Sequence, residues 1–256
     1  VRKVIMGKPI KTVSFDLWDT VFIDDSDEPK RAAAGLPPKS IQRRQLVQQF
    51  LERHTPVSRE LIDRCYDTTD AAFREVWYGQ NVTWPVRVRL AVLLQGLGRK
   101  LPENELAELV RLHEDMELEV KPDLLPGVGE ALESIKGKYK LAVISDAIFS
   151  PGRALRELLQ HYGLLHYFDY FVFSDEVGYS KPDPRAFHAV AKNTGCTLAE
   201  IVHLGDREAK DIAGPHAVGA RGILVPIAKD RGGPNSKADA VCRDFRDLSK
   251  ILQKLE

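Results

Sequence analysis

Five polar side chains fall where short apolar runs stop. Asp16 follows Thr12-Val13-Ser14-Phe15, Ser145 closes Leu141-Ala142-Val143-Ile144, and Asp206 follows Ile201-Val202-His203-Leu204-Gly205; Lys181 and Asp211 lie in the turns or helix starts beyond the strands. A carboxylate held at a strand end by rigid backbone can act as a nucleophile or as a metal ligand. Three carboxylates brought together repel, and at neutral pH at least one keeps a proton unless cations intervene. A divalent metal together with Lys181 relieves that repulsion. Magnesium takes a few carboxylate oxygens, a backbone carbonyl and waters, and leaves room for a phosphate oxygen of a substrate. Singly, these residues read as a turn acid, a capping serine or a surface lysine; five at consecutive strand ends read as a site.

The elements that must position them alternate. Strands are predicted at 12–16, 141–146, 168–173, 201–204 and 222–225, with an edge strand at 238–241, and helices fall between them. This pattern predicts a parallel α/β sheet with crossover helices, whose carboxyl ends open on one crevice. From Ser40 to about Leu118 the period is helical, giving four consecutive amphipathic helices and thus a small bundle. Ser58 is expected to cap the second of these, Gly79 to stop it, and Pro85 and Pro102 to open the next two. The expected organisation is an α/β core domain of residues 1–22 and 123–256 with a helical domain, 23–122, inserted after the first strand. The acidic stretch Asp24, Asp25, Asp27 and Glu28 lacks the bend glycine of a calcium loop, so it is read as a solvated, mobile loop.

Lysine plus arginine equals aspartate plus glutamate at 37 each in 256 residues, which removes the electrostatic case for a nucleic-acid or anionic-membrane partner. The three cysteines, Cys65, Cys196 and Cys242, are far apart and in no metal-ligand spacing, pointing to a reducing compartment. With no apolar run of membrane-spanning length and no signal-peptide pattern after Val1, a cytoplasmic protein is expected. Apolar residues of the helices suit packing within the bundle or against a second chain equally well.

The ordered set of motifs resembles the haloacid dehalogenase superfamily of hydrolases with a helical, C1-type cap. Phe15-Asp16-Leu17-Trp18-Asp19-Thr20 is similar to that family's first motif, Ile144-Ser145-Asp146 to its second, Ser180-Lys181-Pro182-Asp183-Pro184 to its lysine motif, and Gly205-Asp206 to Asp211 to its acidic fourth. The resemblance implies a Rossmannoid core and a metal-dependent phosphatase of a small organic phosphate. In it Asp16 would form an aspartyl phosphate that water then cleaves. It further implies Mg²⁺ held by the Asp16 side chain, the Trp18 backbone carbonyl, Asp206 and Asp211, with Ser145, the Asp146 amide and Lys181 on the transferring group.

One position departs from that pattern. Family phosphatases usually carry a second aspartate two residues after the nucleophile, as acid and base, and here that residue is Trp18. An aromatic residue there resembles the 2-haloacid dehalogenase branch, which generally lacks the Gly-Asp metal motif retained here. A weakly active or non-catalytic binding protein is the third reading. Asp19 should point elsewhere, and Glu208 lies within the fourth motif without an obvious proton role. Arg43, Arg44, Trp77, Tyr78, Trp84 and Arg87 are candidates to grip an anionic or aromatic substrate, although paired arginines more often form a solvated helix face and aromatics more often core. His203 is expected to be a hydrogen-bonded structural residue.

Overall fold

A computed structural model describes residues 8–231 and 235–256; the first seven residues of the expected core domain, and residues 232–234, lie outside that range. Six strands form one sheet: β1 (Thr12–Phe15), β2 (Lys140–Ser145), β3 (Tyr170–Phe173), β4 (Ile201–Gly205), β5 (Arg221–Leu224) and β6 (Ala240–Val241). Their spatial order is β3-β2-β1-β4-β5-β6, and every neighbouring pair is parallel. All four residues of β1 are buried, as befits a central strand covered on both faces.

Alternation along the strands assigns the faces. Leu141 and Val143 point into one core with Leu132, Leu155 and Leu248 from helices Val128–Ile135, Gly152–His161 and Leu248–Leu255. Ala142 and Ile144 point into the other, with Phe187 and Val190 from helix Pro184–Thr194. Crossover helices on both sides leave the carboxyl edge free for a site.

Between β1 and β2 the chain makes α1 (Glu28–Ala33), α2 (Lys39–Glu52), α3 (Arg59–Gln80), α4 (Val86–Gly96), α5 (Glu103–Glu114) and a last turn at Met116–Glu119. The middle four build their own apolar core around Val47, Phe50, Ile62, Leu90, Leu93 and Leu109, and Phe149 from the loop after β2 packs against it. Ser58 caps α3 by accepting the Leu61 N–H at 3.2 Å. Gly79 does not end that helix: Asn81, with φ of 55°, is its left-handed cap, a role asparagine fills more readily than other side-chain-bearing residues.

The stretch expected to be a solvated loop is instead partly helical. Pro29 stands in the first turn of α1, where a missing N–H costs nothing. Asp27 is fully buried, with Lys39 Nζ 2.7 Å from its carboxylate. Among the described residues no helix is long and apolar enough to cross a membrane.

Candidate active site

Because β2 and β4 flank β1, the residues ending these three strands stand side by side. The Asp16 N–H donates to the Leu204 carbonyl at 2.8 Å, carrying the ladder one residue past β1 and fixing the Asp16 backbone. Lys181, 2% exposed, sets its Nζ 2.9 Å from Asp16 Oδ1 and 2.6 Å from Asp211 Oδ1. Asp211 projects from a π-helical turn, Glu208–Ile212; its other oxygen accepts the Arg207 N–H at 2.9 Å. His203 Nε2 lies 3.1 Å from Asp211 Oδ1, and its Nδ1 lies 2.9 Å from Ser14 Oγ, so this histidine is tied on both sides, as a structural residue should be. Gly205 makes the arrangement possible: a Cβ there would sit 2.2 Å from Asp211 Cγ.

Charge is crowded here. Burial raises the Asp16 pKa, Lys181 opposes that, and Asp211 adds to it. Burial also works against ionisation of Asp211, but Lys181 and His203 outweigh it and hold that carboxyl below the usual range. Burial, reinforced by Asp16 and Asp211, pushes Asp206 up to about 7 against the pull of Arg231 and Arg207. Lys181 remains firmly protonated, since the neighbouring carboxylates overcome its burial.

Two buried polar atoms near Asp16 have no hydrogen-bond partner among the described residues: Ser145 Oγ and Asp206 Oδ1, the latter with only the Arg207 guanidinium at 4.0 Å. Each is costly to bury unsatisfied. Asp206 Oδ2 is taken by Arg231, whose guanidinium also lies 2.8 Å from Asp19 Oδ2. Asp16, Asp206 and Asp211 each offer an oxygen, all within 4.8 Å of one another. Hard carboxylate donors this close together, one of their oxygens without a hydrogen bond, suit a magnesium ion.

Trp18 is half-buried against Phe22, with ring centroids 5.9 Å apart, and it lines the cavity beside Asp16. Asp19 is turned away with φ of 55°, fully buried between Arg231 and Lys229. Glu208 accepts from Ser236 Oγ and the Lys237 N–H, so it fastens a loop rather than facing the cavity.

That cavity, about 300 Å³, lies between the strand ends and the helices. Arg43 and Trp77 line it, whereas Arg44 and Arg87 pair with acids elsewhere, Trp84 leans on Phe73 and Tyr78 is exposed. Arg43 is thus no solvated helix residue: it is 6% exposed, with its guanidinium 3.6 Å over the Phe149 ring. Lys39, Glu117 and Lys210 also line the cavity and were not legible as site residues. Lys39 Nζ gathers Asp27 at 2.7 Å, Glu117 at 3.2 Å and Asp25 at 3.4 Å. Asp146 holds the site together with both oxygens, accepting the Lys181 N–H at 3.0 Å and Lys210 Nζ at 2.6 Å.

Residues 10–219 match the family model of the haloacid dehalogenase-like hydrolases. A glyceraldehyde 3-phosphate phosphatase of Methanopyrus kandleri is 30% identical over 231 residues, covering 87% of this chain and 85% of that one. The chain spans about half the length of two other relatives. It covers 58% of the Methanothermobacter thermautotrophicus glyceraldehyde 3-phosphate phosphatase and 45% of the Bos taurus haloacid dehalogenase-like hydrolase domain-containing protein 3, at 33% and 32% identity over 133 and 116 residues, or 50% and 45% of this chain. A 2-haloacid dehalogenase structure from Pseudomonas syringae superposes with a TM-score of 0.68 at 21% identity, covering 96% of this chain and all of that one, a likeness of fold.

Proposed function

The chain belongs to the haloacid dehalogenase-like hydrolases, and on that footing we propose that it is a Mg²⁺-dependent phosphatase of a small organic phosphate. The observation that carries this reading is the pair of buried atoms without a hydrogen bond among the described residues, Ser145 Oγ and Asp206 Oδ1, at the ends of the two strands that flank β1. One is a donor suited to a phosphoryl oxygen, the other an acceptor suited to a cation.

In this reading Asp16 attacks phosphorus, the P–O bond to the leaving group breaks and that group departs as its oxyanion, which takes its proton from solvent, and water cleaves the resulting aspartyl phosphate. Mg²⁺ would be held by Asp16, the Trp18 carbonyl and Asp206, with Asp211 contributing directly or through water, and would supply positive charge against the phosphate. Lys181 keeps Asp16 aligned and offers charge to the equatorial oxygens; Ser145 and the Asp146 amide receive another oxygen. Asp211, itself held by His203, fixes Lys181. The helices act as a cap over the cavity, excluding bulk water and selecting the organic part of the substrate. Three free cysteines are in keeping with a cytoplasmic setting.

The test is phosphate release from a panel of phosphate monoesters with MgCl₂ and with EDTA, using Asp16→Asn as the blank. Release that needs both magnesium and Asp16 is expected; release indifferent to EDTA overturns the reading. Trp18 motivates a second reading, a 2-haloacid dehalogenase, since halide departure needs no leaving-group proton. Chelator-independent halide release from short 2-haloacids would support it, and silence there together with silence across the ester panel would leave a binding protein.

A further inference from the structure

We propose that Lys210 is a second phosphoryl-binding cation of this site, seated there by Trp77 of the helical block; the proposal rests on the phosphatase reading and extends it. Lys181 has little to spare for a dianionic phosphate. Two of its three N–H groups already face carboxylates, Asp16 at 2.9 Å and Asp211 at 2.6 Å. Lys210, next to Asp211 on the same π-helical turn, is placed differently. It lines the same cavity as Asp16 and Lys181, is 7% exposed, and among the described residues has one carboxylate partner, Asp146, at 2.6 Å.

Two contacts fix where that ammonium stands. Asp146 receives Nζ on one oxygen and the Lys181 backbone N–H on the other, so the residue after Ser145 sets both lysines in register. The Trp77 ring also covers Nζ, at 3.5 Å to its centroid. A cation over an indole face is attracted to it, and the ring takes the place of water that would otherwise solvate the charge. With one N–H on Asp146 and the ring over another side, Lys210 keeps donor capacity for an oxygen in the cavity. Trp77 lies on α3, so the charge is fully seated only while the helices stand over the strand ends. Trp77 is a positioning residue; Lys210 is the one that touches the phosphoryl group.

The experiment is calorimetric titration of inorganic phosphate into the wild type and the Lys210→Met, Trp77→Leu and Trp77→Phe variants, all in MgCl₂. Losing one charge-assisted contact should weaken phosphate binding about 10- to 100-fold in Lys210→Met. Trp77→Leu should weaken it about 3- to 10-fold, with most of that recovered in Trp77→Phe, which restores a ring face but not the indole's size. Should Lys210→Met not fold, Lys210→Gln carries the same expectation. Phosphate affinity within twofold of wild type in the lysine variant overturns the proposal, as does a wild type that binds no phosphate. A wild type that binds phosphate tightly yet releases none from any ester sinks the phosphatase reading instead, and the variant titrations still decide the role of Lys210.

Discussion

Asp206 gives one carboxylate oxygen to Arg231 and keeps the other buried with no hydrogen bond among the described residues, 4.0 Å from the Arg207 guanidinium. The arginine also reaches Asp19, so it ties the segment after β1 to the segment after β4. Removing the partly solvated arginine leaves the buried Asp206 and Asp19 carboxylates less compensated, and Arg231→Met should lose about 1 to 2 kcal/mol in urea denaturation with EDTA present, less than a fully buried pair would. A bound divalent cation would neutralise part of that charge. MgCl₂ should therefore raise the unfolding midpoint more in Arg231→Met than in the wild type, and in Asp206→Asn it should do almost nothing. Equal magnesium shifts in all three proteins would remove Asp206 from the metal site.

Trp18 stands where a proton donor is usual, and Asp19 is committed to Arg231 and Lys229. The wild type should therefore cleave acyl or aryl phosphates far better than alkyl phosphates, whose leaving oxygen needs a proton. Trp18→Asp should raise kcat/KM on alkyl esters by about 10²- to 10⁴-fold and change the aryl esters much less. A uniform change across leaving groups would show that the indole only fills space.

The sheet and the order of its motifs were readable because parallel strands buried on both faces announce themselves as apolar runs, and Asp16, Ser145 and Asp206 stand at the ends of three of them. Those three needed only that rule, and Lys181 and Asp211 the further rule that the turns after parallel strands lie at the same edge. What escaped was set by tertiary contacts. Lys39 and Glu117 look like ordinary surface charges until the helices fold and bury each against the other, at 3.2 Å. Lys210 differs from any helix-surface lysine only through Asp146, 64 residues earlier, and Trp77, on another element. Pro29 and its acidic neighbours imitate a loop because a proline in the first turn of a helix has the same local signature as one that breaks a helix.

Gly205 is the point at which fold and site meet. Its hydrogen faces Asp211, and a methyl group would overlap Asp211 Cγ at 2.2 Å, where neither β4 nor the π turn can easily yield. Gly205→Ala should lose about 1 to 3 kcal/mol of stability and, by pushing Asp211 from Lys181, most of the activity. Urea denaturation and phosphate release measured on the same preparation decide this; an alanine variant with wild-type turnover would mean that Asp211 does not need its present position.

His113 gives a pH dependence that is independent of the strand-end carboxylates. It is fully buried in the helical block, its Nδ1 lies 2.8 Å from the Leu109 carbonyl, and its Nε2 has no partner among the described residues. Burial, with Arg43 and Arg89 adding to it, lowers its pKa to about 3. An unfolded chain holds this histidine near its ordinary value, about 6.5. Between those values the unfolded state carries the extra proton, so the contribution of His113 is fully present above about pH 6.5 and is lost as the pH falls toward 3, by up to about 1.4 kcal/mol per pH unit. The slope of unfolding free energy against pH between 6 and 4, from urea titrations, should therefore be shallower in His113→Gln than in the wild type by as much as one proton. Parallel slopes would mean that the native helices admit a proton to His113 without unfolding.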